Sequence, residues 1–179
     1  MPGVSSEYQA VLELLRTDDP PVARELKVRV VEELRAGKEA EVSVALENGL
    51  RDADPEFRCT VAWVFLVYDF LAALPHVGKL LLHDQDDGVQ GYICQILGGS
   101  KRREAVPLLI EALKTNPDGT DRVNAAWGLG NIGDPAALPA LQKATQMDDG
   151  VDYEGRPVKE IAAEAIRRIT SGKAAASVA

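Results

Sequence analysis

Residues 121–135 read DRVNAAWGLGNIGDP, and weaker copies of this segment occur before and after it in the chain. Within the segment, Arg122 is followed by the small pair Ala125 and Ala126, and then by Leu129 and Ile132. A similar order of side chains follows three other positions, which are Arg58, Gln90 and Lys159. We call these four the marker positions. They are 32, 32 and 37 residues apart, a period typical of helical repeat arrays.

A turn that contains aspartate precedes each marker position. These turns are Asp54-Pro55, Asp87-Gly88, Asp118-Gly119 and the loop of residues 152–157. Aspartate, glycine and proline are the residues that commonly end one helix and begin the next. The sequence therefore predicts a series of helix pairs, in which an outer helix precedes each turn and an inner helix carries the marker.

Residues 118–135 also carry a family resemblance. Their pattern, Asp-x-x-x-Arg-x-x-Ala-Ala-x-x-Leu-Gly-x-Ile-Gly-Asp-Pro, resembles the HEAT-like repeat of the phycobilisome-lyase type, and residues 136–141 resemble the helix that follows in that repeat. The resemblance is close for residues 87–147, weaker for 54–86 and 157–170, and poor before residue 21. It implies an all-α fold, a right-handed α-solenoid (an armadillo/HEAT-like superhelix) of about five helix pairs. It does not imply one activity, because similar repeats occur in chromophore lyases, an iron hydroxylase, DNA glycosylase relatives and many binding proteins.

The repeat predicts one domain over residues 1–170, with helix pairs at roughly residues 5–36, 39–74, 75–98, 101–132 and 135–170. The first pair is expected to act as a degenerate cap. Between residues 59 and 74 only Asp69 is charged, which predicts a buried helix that Pro75 ends. Residues 148–157 are expected to form a solvated insertion without the ligand order of a calcium loop. Residues 171–179 are expected to be disordered.

Composition agrees with a helical repeat and limits the chemistry. The 179 residues are 46% hydrophobic but only 5% aromatic, which favours a core of small aliphatic side chains. Cys59 and Cys94 fall in different predicted helices, so we expect two reduced thiols. No metal-binding spacing is found and no cofactor is predicted. The N-terminal residues lack an apolar signal segment, which indicates a cytoplasmic protein.

The net charge of −8 limits the class of partner. Nucleic-acid binding relies on Lys and Arg side chains that displace counterions, so a nucleic-acid partner is not expected. The longest apolar segment is too short for a membrane span. A basic or neutral protein or peptide remains the expected partner, and the sequence does not determine the oligomeric state.

A helical wheel separates two sides of each inner helix. With Ala125 facing the core, residues at 124, 127 and 131 point to the opposite side, which lines the concave groove of a solenoid. Applied to three repeats, the wheel predicts a partner-binding surface formed by Trp63, Tyr92, Gln95, Asn124, Trp127 and Asn131. The two tryptophans are expected to lie about 16–20 Å apart, a separation that suits a peptide or protein surface. In the alternative interpretation, Trp63 only covers an apolar helix and Trp127 only packs on Tyr92.

The marker side chains have two interpretations as well. A row of basic side chains at Arg58, Arg122 and Lys159 could bind anions. The resemblance favours a structural ladder instead, in which these side chains pair with Asp54, Asp87 and Asp118.

The sequence gives little support for an enzymatic function. The two histidines, His76 and His83, are not followed by the glutamates that an iron hydroxylase of this type needs. A glycosylase would require a carboxylate beside the groove aromatics, but Asp69 lies about 120° from Trp63 around its helix. We therefore predict a non-catalytic protein-interaction module. Two alternatives stay open: a bilin-lyase-like subunit or chaperone for a chromophore-carrying partner, and an immunity-type inhibitor of a basic toxin.

Overall fold

A computed structural model describes residue 44 and residues 46–176, without the side chains of Tyr68 and residues 172–176. The predicted first helix pair, residues 5–36, lies outside this part. Residues 46–49 are helical and end in a turn. The helices that follow are α1 (Pro55–Tyr68), α2 (Phe70–His83), α3 (Asp87–Gly99), α4 (Val106–Thr115), α5 (Gly119–Ile132), α6 (Leu138–Met147) and α7 (Val158–Ala176). Short 3-10 turns, Arg103–Ala105 and Pro135–Ala137, lead into α4 and α6. Since the described residues contain no strand, the predicted all-α class is confirmed.

The chain divides into two compact units, Met1–Val77 and Gly78–Ala179, and the boundary falls inside α2. In the first unit, Val61 and Phe65 of α1 are completely or almost completely buried. Gly49 lies directly against Val61, so that a β-carbon at Gly49 would come within 2.9 Å of the valine side chain. His76 packs on Phe65 with ring centroids 5.7 Å apart. Its Nε2 lies 3.6 Å from a carboxylate oxygen of Glu47.

The helix predicted to end at Pro75 ends at Tyr68 instead, so that prediction is wrong. Asp69 adopts an extended backbone conformation after α1. Its side chain accepts a hydrogen bond from the Ala72 amide at 3.0 Å, which caps the start of α2. Pro75 then lies inside α2, where it removes only one helical hydrogen bond. The single charged residue of the apolar segment is therefore the helix boundary.

The second unit packs its helices in two layers. Helices α3, α5 and α7 follow one another in the inner layer, since α5 packs against both α3 and α7. Helices α4 and α6 form the outer layer, where α4 packs on α5 and α6 packs on α7. Each outer-layer helix is followed in the chain by the inner-layer helix that it packs against.

Small residues set the spacing of the inner layer. A β-carbon at Gly98 of α3 would overlap the backbone of Gly128 of α5. At the next crossing, a β-carbon at Gly130 would lie 2.9 Å from Ala165 of α7. The backbones of adjacent inner helices are therefore in direct contact at these crossings, which explains a core that is rich in alanine and glycine.

Aspartates start the helices of the second unit, and a glycine ends one of them. Asp118 accepts a hydrogen bond from the Thr120 amide at 2.6 Å, and Asp134 accepts one from the Ala136 amide at 2.9 Å. Helix α3 is capped by Asp86 rather than by Asp87. Gly133 ends α5 with a φ of 74°, a conformation that favours glycine.

Helix α7 continues to Ala176. It therefore extends into the segment of residues 171–179 for which the sequence predicts disorder, and residues 177–179 lie outside the described part. The prediction of a single domain over residues 1–170 stays a prediction.

Candidate functional site

The two sides of α5 differ as the helical wheel predicts. Ala125, Ala126 and Leu129 are completely buried. Trp127 leaves 39% of its surface exposed. An exposed tryptophan on a helix whose opposite side is fully buried gives α5 an apolar side chain that is available for contact.

The predicted partner-binding residues of the second unit lie on two helices that pack directly against each other. Tyr92 and Gln95 belong to α3, and Asn124, Trp127 and Asn131 belong to α5. We call these five residues the α3–α5 face. Gln95 is exposed like Trp127, while the other three are half-buried. The face therefore combines aromatic side chains with amide groups.

Trp63, the sixth predicted residue, belongs to α1 in the first unit and is half-buried. Its helix also has exposed Val67 one turn later. The predicted separation of Trp63 and Trp127 stays a prediction.

A polar network extends the α3–α5 face to α7. The Arg168 guanidinium donates to the Asn131 side-chain oxygen at 2.9 Å and to Glu164 of its own helix. Beside this network, Trp127, Gly130 and Ala165 line a depression of about 10 Å³. Such a space holds one water molecule at most. A small ligand has no cavity to enter beside Trp127, whereas a partner's surface could lie across it.

The marker side chains have a structural role that does not depend on their charge. Arg58, Gln90 and Arg122 each donate a hydrogen bond to the backbone carbonyl oxygen six residues earlier. The donor–acceptor distances are 2.8, 2.6 and 2.8 Å. Because each carbonyl belongs to the turn between an outer and an inner helix, the marker holds the pair together.

The structural interpretation of Arg122 is correct, but its predicted partner is wrong. Its Nε donates to Asp148 Oδ2 at 2.8 Å, and a second nitrogen donates to Oδ1 at 3.1 Å. Asp148 follows α6, so this two-point ion pair links one repeat to the next. The Asp118 carboxylate instead accepts a hydrogen bond from the Thr120 amide and caps α5. Lys159 pairs with Asp149 at 2.9 Å.

Asp121 is a buried residue that the sequence analysis does not single out. Only 1% of its surface is exposed, and its Oδ2 atom has no hydrogen-bond partner among the described residues. Burial, and then the charges of Asp118 and Asp87, raise the pKa of Asp121 to about 7. The residue just before the other three markers is apolar and buried: Phe57, Val89 and Val158. Alignment of the four repeats would have revealed a carboxyl group in a core position.

The cysteines and histidines do not form a reactive group. Cys59 and Cys94 are free thiols. Burial, and secondarily Asp121, raises the pKa of the Cys94 thiol far above its ordinary value, which makes it a poor nucleophile. His76 is occupied by the Phe65 and Glu47 contacts described above. Within residues 46–176, no cluster of three His, Cys, Asp or Glu side chains is arranged to hold a metal ion.

Most residues of the insertion 148–157 are exposed, and the insertion has an ordered backbone as well. Val151 and Pro157 form an isolated antiparallel bridge. Between them, the buried Asp152 carboxylate accepts hydrogen bonds from the amides of Glu154 and Arg156 and from the Arg156 guanidinium. Burial tends to raise the pKa of Asp152, but these hydrogen bonds outweigh it and hold the pKa below its ordinary value.

A comparison with known protein families agrees with the helical repeat described above. The family model for HEAT repeats matches residues 74–167, slightly more than half of the chain. The chain belongs to the HEAT-repeat family. HEAT repeats generally mediate protein–protein interactions, and the family is typically non-catalytic. No curated protein matches the chain significantly. Within the described residues of this HEAT-repeat protein, none of the helices has both the length and the apolar character to cross a bilayer.

Proposed function

We propose that this HEAT-repeat protein is a non-catalytic interaction module that binds a peptide or protein surface over the α3–α5 face. The exposure of Trp127 carries the proposal. Its 39% exposed ring lies on the side of α5 that faces away from the core. Tryptophan buries a large area on binding and loses little conformational entropy, so it is frequent at the centres of protein interfaces.

The neighbours of Trp127 support a protein partner over a small ligand. The depression beside the ring holds about 10 Å³, far below the several hundred cubic ångströms of most small-molecule sites. Gln95, Asn124 and Asn131 provide amide groups that can donate to and accept from a partner's backbone. Trp63 of the first unit is a separate candidate for partner contact.

The net charge of the chain also predicts the sign of the charge on the partner's surface. With eight more acidic than basic side chains, the chain attracts basic surfaces and repels nucleic acid. We therefore expect a basic or neutral protein whose binding weakens as salt is added.

The test is affinity capture from a lysate of the source cells with the parent protein and with Trp127→Ala. Tyr153→Ala is the matched control, because Tyr153 is an aromatic residue that is 80% exposed but lies in the loop before α7. We expect a partner that the parent and Tyr153→Ala capture equally and that Trp127→Ala loses by at least about tenfold, as for a central interface residue. Trp63→Ala is expected to weaken capture as well.

Circular dichroism of each variant separates binding from folding. Helical content equal to that of the parent, combined with lost capture, supports the proposal. Equal capture by Trp127→Ala and the parent would place the contact surface elsewhere on the molecule. A chromophore-carrying protein among the captured partners would favour the bilin-lyase-like alternative, and a basic nuclease toxin would favour the immunity-type alternative.

A further inference from the structure

An open pocket of about 400 Å³ lies between α4, α6 and the loop that follows α6. Its volume is in the range of small-molecule sites. None of its lining residues belongs to the α3–α5 face. Its apolar lining includes Leu113, Ala144 and Met147, and Met147 is 70% exposed. The pocket therefore offers a ligand an apolar surface that is not part of the proposed partner-binding face.

Asn116 lines this pocket, and its side chain holds an unused hydrogen-bond donor. The residue lies at the end of α4 and is only 6% exposed. Its side-chain nitrogen has no hydrogen-bond partner among the described residues. Buried amide groups are nearly always paired, because leaving one without a partner costs free energy. An acceptor oxygen on a ligand would remove that cost.

The backbone around this donor is already fixed. Arg122 donates to the backbone carbonyl oxygens of Asn116 and Pro117, both at 2.8 Å. The same guanidinium is held by Asp148 through two hydrogen bonds. The carbonyl oxygens of Asn116 and Pro117 therefore already have a donor, whereas the Asn116 side-chain nitrogen has no acceptor in the described part of the chain.

The free charges at the pocket are positive. Lys114 and Lys143 line it and are exposed, and neither forms an ion pair with another residue in the described part of the chain. The two carboxylates of the lining are both neutralised, Asp148 by Arg122 and Asp149 by Lys159. In a protein with a net charge of −8, this is a local surplus of positive charge.

We propose that this pocket binds a small monocarboxylic acid with an aliphatic body. The carboxylate would accept a hydrogen bond from the Asn116 amide and pair with Lys114 or Lys143, while the aliphatic body would cover Leu113, Ala144 and Met147. The apolar part of the lining matches the aliphatic body of such an acid better than it matches inorganic phosphate. This site is independent of the α3–α5 face.

The test uses 4-methylpentanoate as the probe, with the full-length protein labelled with ¹⁵N. For a ligand of this size we expect saturable binding with a dissociation constant of about 1 mM. The Asn116 side-chain amide signals should shift during the titration. The uncharged 4-methylpentanamide and the cationic 3-methylbutylamine should bind at least about tenfold more weakly, since they lack the negative charge.

Variants distinguish this pocket from nonspecific attraction. Lys114→Gln and Lys143→Gln should each weaken 4-methylpentanoate binding about threefold to tenfold. Lys79→Gln is the matched control, because Lys79 is also exposed and also lacks an ion pair in the described residues but lies on α2, away from the pocket. An unchanged affinity in both pocket variants, tighter binding of the amine, or no saturation at about 20 mM would overturn the proposal. Equal binding of inorganic phosphate would overturn the choice of a carboxylic acid.

Discussion

Asp121 places a carboxyl group at a position that the other described repeats fill with Phe57, Val89 or Val158. Its folded-state pKa of about 7 lies above its ordinary value of 3.8. The stability that the protonated form provides is complete below the ordinary pKa and is lost as the pH rises through 7. The parent protein therefore carries an uncompensated buried charge in mildly alkaline solution.

We expect Asp121→Val to raise the free energy of unfolding at pH 8 by about 2 kcal/mol, because it removes a buried carboxylate whose Oδ2 atom has no hydrogen-bond partner in the described part of the chain. Urea denaturation at pH 8 and at pH 5 measures the change. The gain should be smaller at pH 5, where Asp121 is largely protonated already. A variant that is less stable than the parent at pH 8 would show that the carboxylate has a stabilising partner.

At the scale of helices, the close crossing of α3 and α5 requires glycine at position 98 but not at position 99. We expect Gly98→Ala to destabilise the protein by about 1–3 kcal/mol, because the added methyl group would overlap the Gly128 backbone. Gly99→Ala is the matched control. A β-carbon at Gly99 meets no atom within 4 Å, so its substitution should be neutral or stabilise by about 0.5 kcal/mol. Thermal unfolding followed by circular dichroism compares the two, and equal melting temperatures would contradict the proposed close contact.

A second prediction about contacts between helices concerns the Arg122–Asp148 ion pair. Arg122→Lys should cost about 2 kcal/mol of unfolding free energy, because lysine cannot reproduce both the fork to Asp148 and the bonds to the turn carbonyls. Arg103→Lys provides the comparison. Arg103 lies 3.5 Å from Asp134, but its side chain is 79% exposed, so that change should cost less than about 0.5 kcal/mol. Urea titrations of both variants test the difference, and similar losses would mean that the fork adds nothing.

The sequence predicts most of these helices because their signals are local. The capping aspartates Asp54, Asp86 and Asp118 follow one another at intervals of 32 residues, and small or apolar pairs follow each cap. The break at Asp69 is not predicted because Pro75 carries the stronger stop signal, whereas in the structure Asp69 caps a new helix that begins before the proline.

The candidate site was less predictable than the fold. The helical wheel predicts the exposure of Trp127 because it follows from periodicity alone. It cannot show that the Asp121 Oδ2 and Asn116 Nδ2 atoms lack hydrogen-bond partners in the described residues, since partners come from other helices and turns. The acidic composition of residues 148–157 indicates a solvated loop, but it does not show that Asp152 organises the turn from inside.

For the molecule as a whole, two buried carboxyl groups give stability opposite dependences on pH. Asp121 has a raised pKa and Asp152 a lowered one. The contribution of Asp152 is present above its ordinary pKa and is lost as the pH falls through its lower folded-state value, while that of Asp121 is lost as the pH rises toward 7. Unfolding free energies measured from pH 2 to pH 8 should therefore show both effects.

Asparagine variants separate the two groups. Asp121→Asn should be more stable than the parent at pH 8 and should differ less near pH 5. Asp152→Asn should be less stable than the parent at neutral pH, and the difference should narrow as the pH falls toward 2, because the protonated parent also loses the charged acceptor. Difference curves with the same sign across the whole range would contradict the assignment of opposite pKa directions.

The markers at positions 58, 90 and 122 each donate a hydrogen bond to the carbonyl oxygen six residues earlier. This contact does not require a charged side chain. A neutral glutamine at position 90 and an arginine at position 122 make the same contact. The turn contact itself therefore accepts either a neutral or a charged side chain. A designer of such arrays could choose between them by what faces the marker, as Asp148 faces Arg122.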